Sequence, residues 1–279
     1  MAQNLQQIKK RIKTSQNIAQ IAKAMEMIAA SKIRKAQIAV EKHQPYADKI
    51  WTIVQRILRD DDLQDFKSIF AAKGGGKKLI FVITPDKGLC GGLVTNIFKK
   101  LNSYASKDDY IIALGKKAVK HVAKYNYNVL ASFNIGTTFP KYEDIFPIIE
   151  IAKKFYMSGE AETISIIYSY FKNMLVQEAV STQILPVEED KEYKECGTDY
   201  MFEPSPKKVL DDIMPYYFEV EFYNALMNAY ASEQAARMTA MRNAKDNAHE
   251  ISASLTNIYN RSRQERITSE ILDLANGQI

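Results

Sequence analysis

The sequence predicts an α/β protein in which two long helices from the chain ends form an antiparallel coiled coil. A doubly wound, largely parallel-sheet α/β domain is inserted between them. The first observation is that residues 217–276 contain no Pro or Gly, and apolar residues recur there every three or four positions. Such a helix would be roughly 80–90 Å long at 1.5 Å per residue, so it needs a partner helix. The second observation is a similar helical pattern at the other end of the chain. The third is that, between these two helices, the spacing of apolar residues changes from a helical to a strand pattern.

The N-terminal helix is predicted over residues 3–58, where apolar residues again step by three and four. Only Ser15 and Glu26 interrupt this seam with polar side chains, and its many alanines predict a close approach of the partner helix. Pro45 is expected to bend or interrupt the helix near His43 and Gln44. The predicted seam positions are Leu5, Ile8, Ile12, Ser15, Ala19, Ala22, Glu26, Ala29, Ile33, Ala36 and Val40. A second apolar stripe widens this face at Ile18, Ile21, Met25 and Ile28.

The C-terminal helix is predicted to begin with Ser205 as N-cap and Pro206 as first helical residue. Pro215 is expected to break it before its long run. Residues 5–40 are expected to pack antiparallel against residues 226–262. The predicted seam of this helix is Leu226, Ala229, Ala236, Ala240, Ala244, Ala248, Ile251, Leu255 and Ile258.

The central region alternates buried-strand patterns with short helices, which predicts the doubly wound sheet. A charged loop is expected at residues 190–197 and an edge strand at residues 200–203. The predicted organisation is an N-terminal coiled-coil helix (1–58), a linker (59–76), the α/β domain (77–204) and a C-terminal coiled-coil helix (205–279). Strands are predicted at Lys78–Thr84, Tyr110–Gly115, Asn128–Phe133, Thr163–Phe171 and Glu178–Val187, and helices at 93–105, 116–125 and 144–157.

The charge distribution and the sequence motifs are compatible with more than one function. Residues 1–60 carry twelve Lys or Arg against four acidic residues, although the whole chain has a net charge of only +5. A basic coiled coil that binds nucleic acid is therefore an alternative. Gly88–Gly92 resembles a nucleophile elbow with Cys90 as the nucleophile, but no His or acid is placed to complete a triad. Neither a complete phosphate-binding loop nor metal-ligand spacing occurs, so no cofactor or metal is expected.

Four segments reach from one end of the chain to the other. They are TSQNIAQIAKAMEMIAASKIRKAQ (Thr14–Gln37), TPDKGLCGGL (Thr84–Leu93), SEQAARMTAMRNAKDNA (Ser232–Ala248) and RSRQERITSEILDL (Arg261–Leu274). Together, and in this order, they resemble the γ subunit of the rotary, proton-translocating ATP synthase.

The resemblance implies a central rotor shaft enclosed by three α and three β subunits. Its α/β domain would lie against the ε subunit and the ring of c subunits. Catalysis would reside on β, with no catalytic residue here, and the shaft would couple proton flow to ATP synthesis and regulate ATPase activity. The chain would be peripheral at the cytoplasmic side of a bacterial inner membrane, attached only through the complex. The implied β-subunit contacts are Met25, Lys32, Arg34, Lys35, Arg263, Gln264, Thr268 and Glu270.

Overall fold

The computed structural model describes residues 2–59, 76–187 and 201–277. The single-turn 3₁₀ helix Tyr142–Ile145 directly precedes the fourth α-helix. Within the described residues the elements are α1 (Ala2–Leu58), β1 (Lys78–Ile83), α2 (Leu93–Tyr104), β2 (Tyr110–Leu114), α3 (Lys116–Lys124), β3 (Asn128–Phe133), α4 (Phe146–Met157), β4 (Thr163–Phe171), β5 (Gln177–Leu185) and α5 (Pro206–Asn276).

The five strands form one sheet in the order β3-β2-β1-β4-β5. Neighbouring strands from β3 to β4 pair in parallel, and only β5 is antiparallel, to β4. The chain between β4 and β5 is too short for a crossover helix, so a hairpin is the available connection. The predicted fold class, a doubly wound and largely parallel sheet with two long terminal helices, is confirmed.

The sheet is covered on both faces, as its nearly continuous apolar strands require. On one face, residues of β1 and β2 pack under α2 and α3. On the other face, the core is formed with α4, the second half of α1 and the first half of α5. Phe81 of β1 contacts Phe222 of α5 edge-to-face with ring centroids 4.9 Å apart, and both side chains are fully buried.

By its contacts the chain divides into two compact units. Unit 1 comprises Met1–Ser31 and Arg237–Ile279, and unit 2 comprises Lys32–Ala236. Unit 2 therefore includes the sheet together with long stretches of both terminal helices, because these stretches supply part of its core. The four-part division predicted from the sequence stays a prediction, and most of its linker lies outside the described residues.

Unit 1 is held together by the predicted seam, and its two polar seam positions each have a partner. Ser15 donates a hydrogen bond of 2.7 Å to the carbonyl of Ala248. Glu26 accepts hydrogen bonds from Arg242 (2.9 Å) and Lys245 (3.0 Å). The partners of the later α1 residue precede those of the earlier one, so the two helices run antiparallel, as predicted. Along α1 all eleven predicted seam positions are buried or half-buried.

The seam of α5 corrects the prediction at two positions. Ile251 and Ile258 are 53% and 48% exposed, whereas Ser252 is buried and Tyr259 is half-buried. Once Ala248 faces α1, three- and four-residue steps lead to residues 252, 255 and 259. Ile251 lies about 100° around the helix from Ser252, at the edge of this line. The register follows the contacts of Ala248 and its neighbours, not the apolar character of the isoleucines.

Both internal prolines lie inside continuous helices, so the break expected at Pro215 is wrong, and of the bend or interruption expected near His43 and Gln44 the interruption does not occur. A proline in a helix interior costs about 3 kcal/mol. The turns that follow each proline bury large apolar side chains, and each such side chain contributes about 1.5–3 kcal/mol on full burial. These side chains are Ile50, Val54 and Ile57 after Pro45, and Tyr217, Phe218 and Phe222 after Pro215.

Two further predictions fall at the edge of the described chain. The loop expected at residues 190–197 lies outside the described residues. Of the edge strand expected at residues 200–203, residues 201–203 are described and form no strand. Glu203 precedes Pro204 there, and a proline has no amide hydrogen with which to extend a strand ladder.

Replacing Ala29 by Leu should destabilise the isolated chain, because Ala29 is 1% exposed in the seam. Overpacking a filled interface typically costs about 1–3 kcal/mol. Ala24→Leu is the matched control, since Ala24 is exposed on the same helix. Chemical denaturation of the full chain measures both variants. Equal stability of the Ala29 variant and wild type would contradict close packing at this position.

Glu26→Gln should weaken the chain in a pH-dependent way. Hydrogen bonds from Arg242 and Lys245 hold the pKa of the Glu26 carboxyl below its usual value of 4.5. A depressed folded-state pKa contributes stability above the unfolded pKa, and this contribution is lost as pH falls through the folded pKa. The variant should therefore be less stable than wild type near neutral pH, and the difference should shrink as the pH falls below about 4. Glu250→Gln, at an exposed position of α5, is the control; a pH-independent difference for Glu26→Gln would refute the linkage.

Candidate functional site

The Gly88–Gly92 turn does not present a nucleophile. Cys90 is 2% exposed and packs with the layer between the sheet and helices α2 and α3. His121, the nearest histidine along the chain, stacks on Phe98 with ring centroids 3.7 Å apart. Its Nε2 atom lies 3.4 Å from the Asn102 side-chain oxygen. A thiol buried in an apolar layer acts as a packing group, so the structure gives no support for a cysteine hydrolase.

The polar residues at the carboxyl end of β1 fix neighbouring loops. The Thr84 hydroxyl accepts a hydrogen bond from the Ala118 amide at 2.8 Å. The Asp86 carboxylate accepts one from the Lys116 amide (2.8 Å) and one from the Gly136 amide (3.0 Å). These groups are satisfied by backbone partners, which is a structural role. Residues 84–86, at the end of β1, therefore form hydrogen bonds with the segments that follow β2 and β3.

The crevice at the switch point of the sheet, between β1 and β4, is filled by α5. Doubly wound sheets usually bind ligands there. Here Ser232 of α5 donates a hydrogen bond of 2.8 Å to the carbonyl of Ser169, at the end of β4. The remaining cavity, which Thr84 and Tyr230 help to line, has a volume of about 20 Å³. Small-molecule sites usually occupy about 300–1,000 Å³, so this crevice has no room for a nucleotide.

Neither a metal site nor a membrane span emerges from the residues that the structure describes. No group of three or more His, Cys, Asp or Glu side chains in those ranges is arranged to hold an ion. No helix in the same ranges is long and apolar enough to cross a bilayer.

An apolar stripe on unit 1 remains uncovered. The second stripe of α1 was expected to widen the apolar face, and in the structure it points away from the seam. Ile18, Ile21, Met25 and Ile28 are 50%, 59%, 37% and 58% exposed. The large side chains of this stripe contrast with the alanines that fill the seam beside it. Exposed apolar patches of this kind mark surfaces that other molecules cover.

The basic residues predicted from α1 differ in their surroundings. Arg34 and Lys35 are exposed, and within the described ranges neither forms an ion pair. Lys32 is half-buried, and its ammonium donates a hydrogen bond of 2.7 Å to the carbonyl of Thr137. The residues are 105 positions apart, so no pattern along the chain could have indicated this contact.

Near the C-terminus, the predicted polar residues lie on exposed turns of α5. Arg263 and Gln264 are exposed. The Thr268 hydroxyl donates to the Gln264 carbonyl at 3.0 Å, and Glu270 accepts a hydrogen bond of 2.7 Å from Arg266. Arg261 and Glu265 form a second ion pair of the same spacing, which was not predicted although opposite charges four residues apart are a recognisable signal. Among the described residues, no carboxylate forms an ion pair with Arg263.

Comparison with known proteins gives a match over nearly the whole chain. A family model described as ATP synthase matches residues 4–278. The ATP synthase gamma chain of Dehalococcoides mccartyi is 38% identical over 279 residues, which cover 98% of each chain. Those of Roseiflexus castenholzii (35%, covering 97% of this chain and 96% of the relative) and Halothermothrix orenii (32%, covering 99% and 98%) are also similar.

Solved structures share the fold. The match in the Euglena gracilis mitochondrial ATP synthase, in a structure of OSCP, F1 and c-ring, has a TM-score of 0.72 at 19% identity. It covers all of this chain and 94% of the other. A chain of the Tetrahymena thermophila central stalk and c-ring has a TM-score of 0.59 at 22% identity, covering 80% of this chain and 99% of the other. The family model and the relatives, matched end to end, show that this chain belongs to the ATP synthase gamma chain family.

Proposed function

We propose that this chain is the central rotor shaft of an ATP synthase, transmitting torque between a proton-driven c-ring and catalytic β subunits. The observation that carries the proposal is the end-to-end family match. The physical reading agrees with it, because the two terminal helices pair with each other while the α/β unit has its ligand crevice filled. A chain of this build carries force and leaves catalysis to its partners.

The partners follow from the same role. Three α and three β subunits would enclose the paired helices, and the ε subunit and c-ring would bind the α/β unit. The chain would be peripheral, at the cytoplasmic side of a bacterial inner membrane, and would reach the membrane only through the complex. The nucleic-acid-binding alternative has no support among the relatives, and the basic character of α1 suits acidic protein surfaces equally well.

On α1, the proposed β-subunit contacts are Met25, Arg34 and Lys35. Met25 belongs to the uncovered apolar stripe, and the two cations lack carboxylate partners within the described ranges. A β subunit with apolar and acidic side chains would cover both kinds of group. Lys32 differs from these residues because its ammonium is already hydrogen-bonded within the chain.

On α5, the proposed contacts are Arg263, Gln264, Thr268 and Glu270. Their side chains are polar and exposed on the part of the helix beyond the last buried seam residue, Ser252. Charge-assisted hydrogen bonds are roughly twice as strong as neutral ones. Loops of the β subunits would therefore bind Arg263 and its neighbours, and these contacts would depend on the rotational angle of the shaft.

Arg263→Ala and Gln264→Ala should leave the melting temperature of the isolated chain nearly unchanged, because exposed substitutions usually fall within about 0.5 kcal/mol. The same changes should lower ATP turnover by the assembled complex, because they remove contacts to β. The measurement pairs thermal melts of the chain with turnover of complexes of verified subunit stoichiometry.

Asn247→Ala, at another exposed position of α5, serves as the control and should retain wild-type turnover. Wild-type turnover in both the Arg263 and Gln264 variants would mean that these residues form a solvated helix face. Failure of the chain to copurify with α and β subunits would reject the shaft role itself.

A further inference from the structure

The loop that follows β3, residues 134–141, is anchored from several directions within unit 2. The Gly136 amide donates to Asp86 at 3.0 Å. The Tyr223 hydroxyl of α5 donates to the Pro140 carbonyl at 3.2 Å. Phe139 packs edge-to-face on Tyr230 of α5, with ring centroids 5.5 Å apart. The loop therefore joins the sheet to α5 through both polar and aromatic contacts.

The N-terminal helix reaches the same loop through Lys32. Its ammonium donates to the Thr137 carbonyl at 2.7 Å, a short and charge-assisted hydrogen bond. One turn later, Ala36 is fully buried in a small cluster with Tyr230 and Ala231, against which Phe139 also packs. At this level of the helix, α1 therefore contacts the loop through the Lys32 hydrogen bond and α5 through the packing of Ala36.

These two contacts resist different motions. Apolar packing around an alanine methyl is non-directional, so it opposes separation but only weakly opposes rotation of the helix about its own axis. A hydrogen bond depends on distance and angle, so it does oppose such a rotation. Among the described residues no carboxylate pairs with Lys32, and the carbonyl is the partner that the structure gives it.

The position of Lys32 along the chain also suits a residue that limits the rotation of α1. It is the first residue of unit 2, and α1 continues without a break from Ser31 into it. Any twist carried along α1 must therefore pass the tether before it enters the α/β unit. This reasoning rests on the proposed function, since only a torque-bearing helix needs such a fixture.

We propose that Lys32 is a positioning residue, which clamps the rotation of α1 to the α/β unit through the Thr137 carbonyl and thereby stiffens the shaft. It acts inside this chain and does not need an acidic residue of β. The functional consequence is torsional: without the clamp, the same torque would twist α1 further before the α/β unit followed.

The first arm of the test measures the tether itself by hydrogen exchange in the assembled complex. Lys32→Met keeps most of the side-chain bulk and removes the ammonium. Amides of residues 134–139 should exchange roughly tenfold faster in this variant, as loss of a hydrogen bond to a charged group allows. Lys32→Arg, which can still donate, should restore slow exchange. Lys42→Met, at an exposed lysine of α1, should match wild type.

The second arm measures stiffness in single complexes that are paused on their catalytic subunits. A probe on the α/β unit reports the angular variance, which should be larger in Lys32→Met than in wild type and return with Lys32→Arg. Unchanged exchange in Lys32→Met would overturn the tether, and faster exchange with unchanged variance would overturn the mechanical role. If wild-type complexes never rotated with ATP, the proposed function would be rejected. Hydrogen exchange would still show whether the Lys32 hydrogen bond holds the loop in place.

Discussion

Close pairing of α1 with α5 in unit 1 is the constraint on which the two ends of the chain depend. The seam is built from small side chains, with Ala19, Ala22 and Ala29 nearly inaccessible. Alanine seams bring backbones close but contribute little apolar area, so packing alone would permit the helices to slide. The polar pairs supply the missing register. The bond between Ser15 and Ala248 and the two cations on Glu26 favour this alignment of the helices, and setting the register is the use of polar seam positions best attested in coiled coils.

Packing within the chain also explains why the switch-point crevice of this doubly wound sheet has no room for a nucleotide. Its switch-point crevice accommodates α5 through Ser232 and Tyr230, and the polar ends of β1 are used to tie loops together. What would be a binding cleft in an enzyme is converted into an attachment surface for a helix. The fold class alone would have suggested a nucleotide-binding site. The occupied crevice and the buried Cys90 instead support a mechanical role.

Much of the architecture could be predicted because its signals are local. The α1 seam follows from three- and four-residue steps, and each predicted strand lies within a few residues of its observed bounds.

The predictions that failed concern positions where contacts between residues distant in sequence decide the structure. Pro45 and Pro215 stay inside helices because core packing on the following turns outweighs a lost hydrogen bond. Ser252 takes the seam position that Ile251 would claim by hydropathy, because polar contacts elsewhere set the register. The partner of Lys32 could not be found from the sequence, since only the folded unit brings Thr137 beside it. The proposed β contacts came from family likeness, not from physical patterning.

The central claim is that the paired terminal helices carry torque between the α/β unit and the enclosing catalytic subunits. It is tested most directly by assembling this chain with its α and β subunits, attaching a probe to the exposed hairpin between β4 and β5, and observing single complexes during ATP hydrolysis. The account predicts unidirectional, stepwise rotation of the probe at a rate that follows ATP turnover. Sustained ATP turnover by a correctly assembled complex whose probe does not rotate would contradict it.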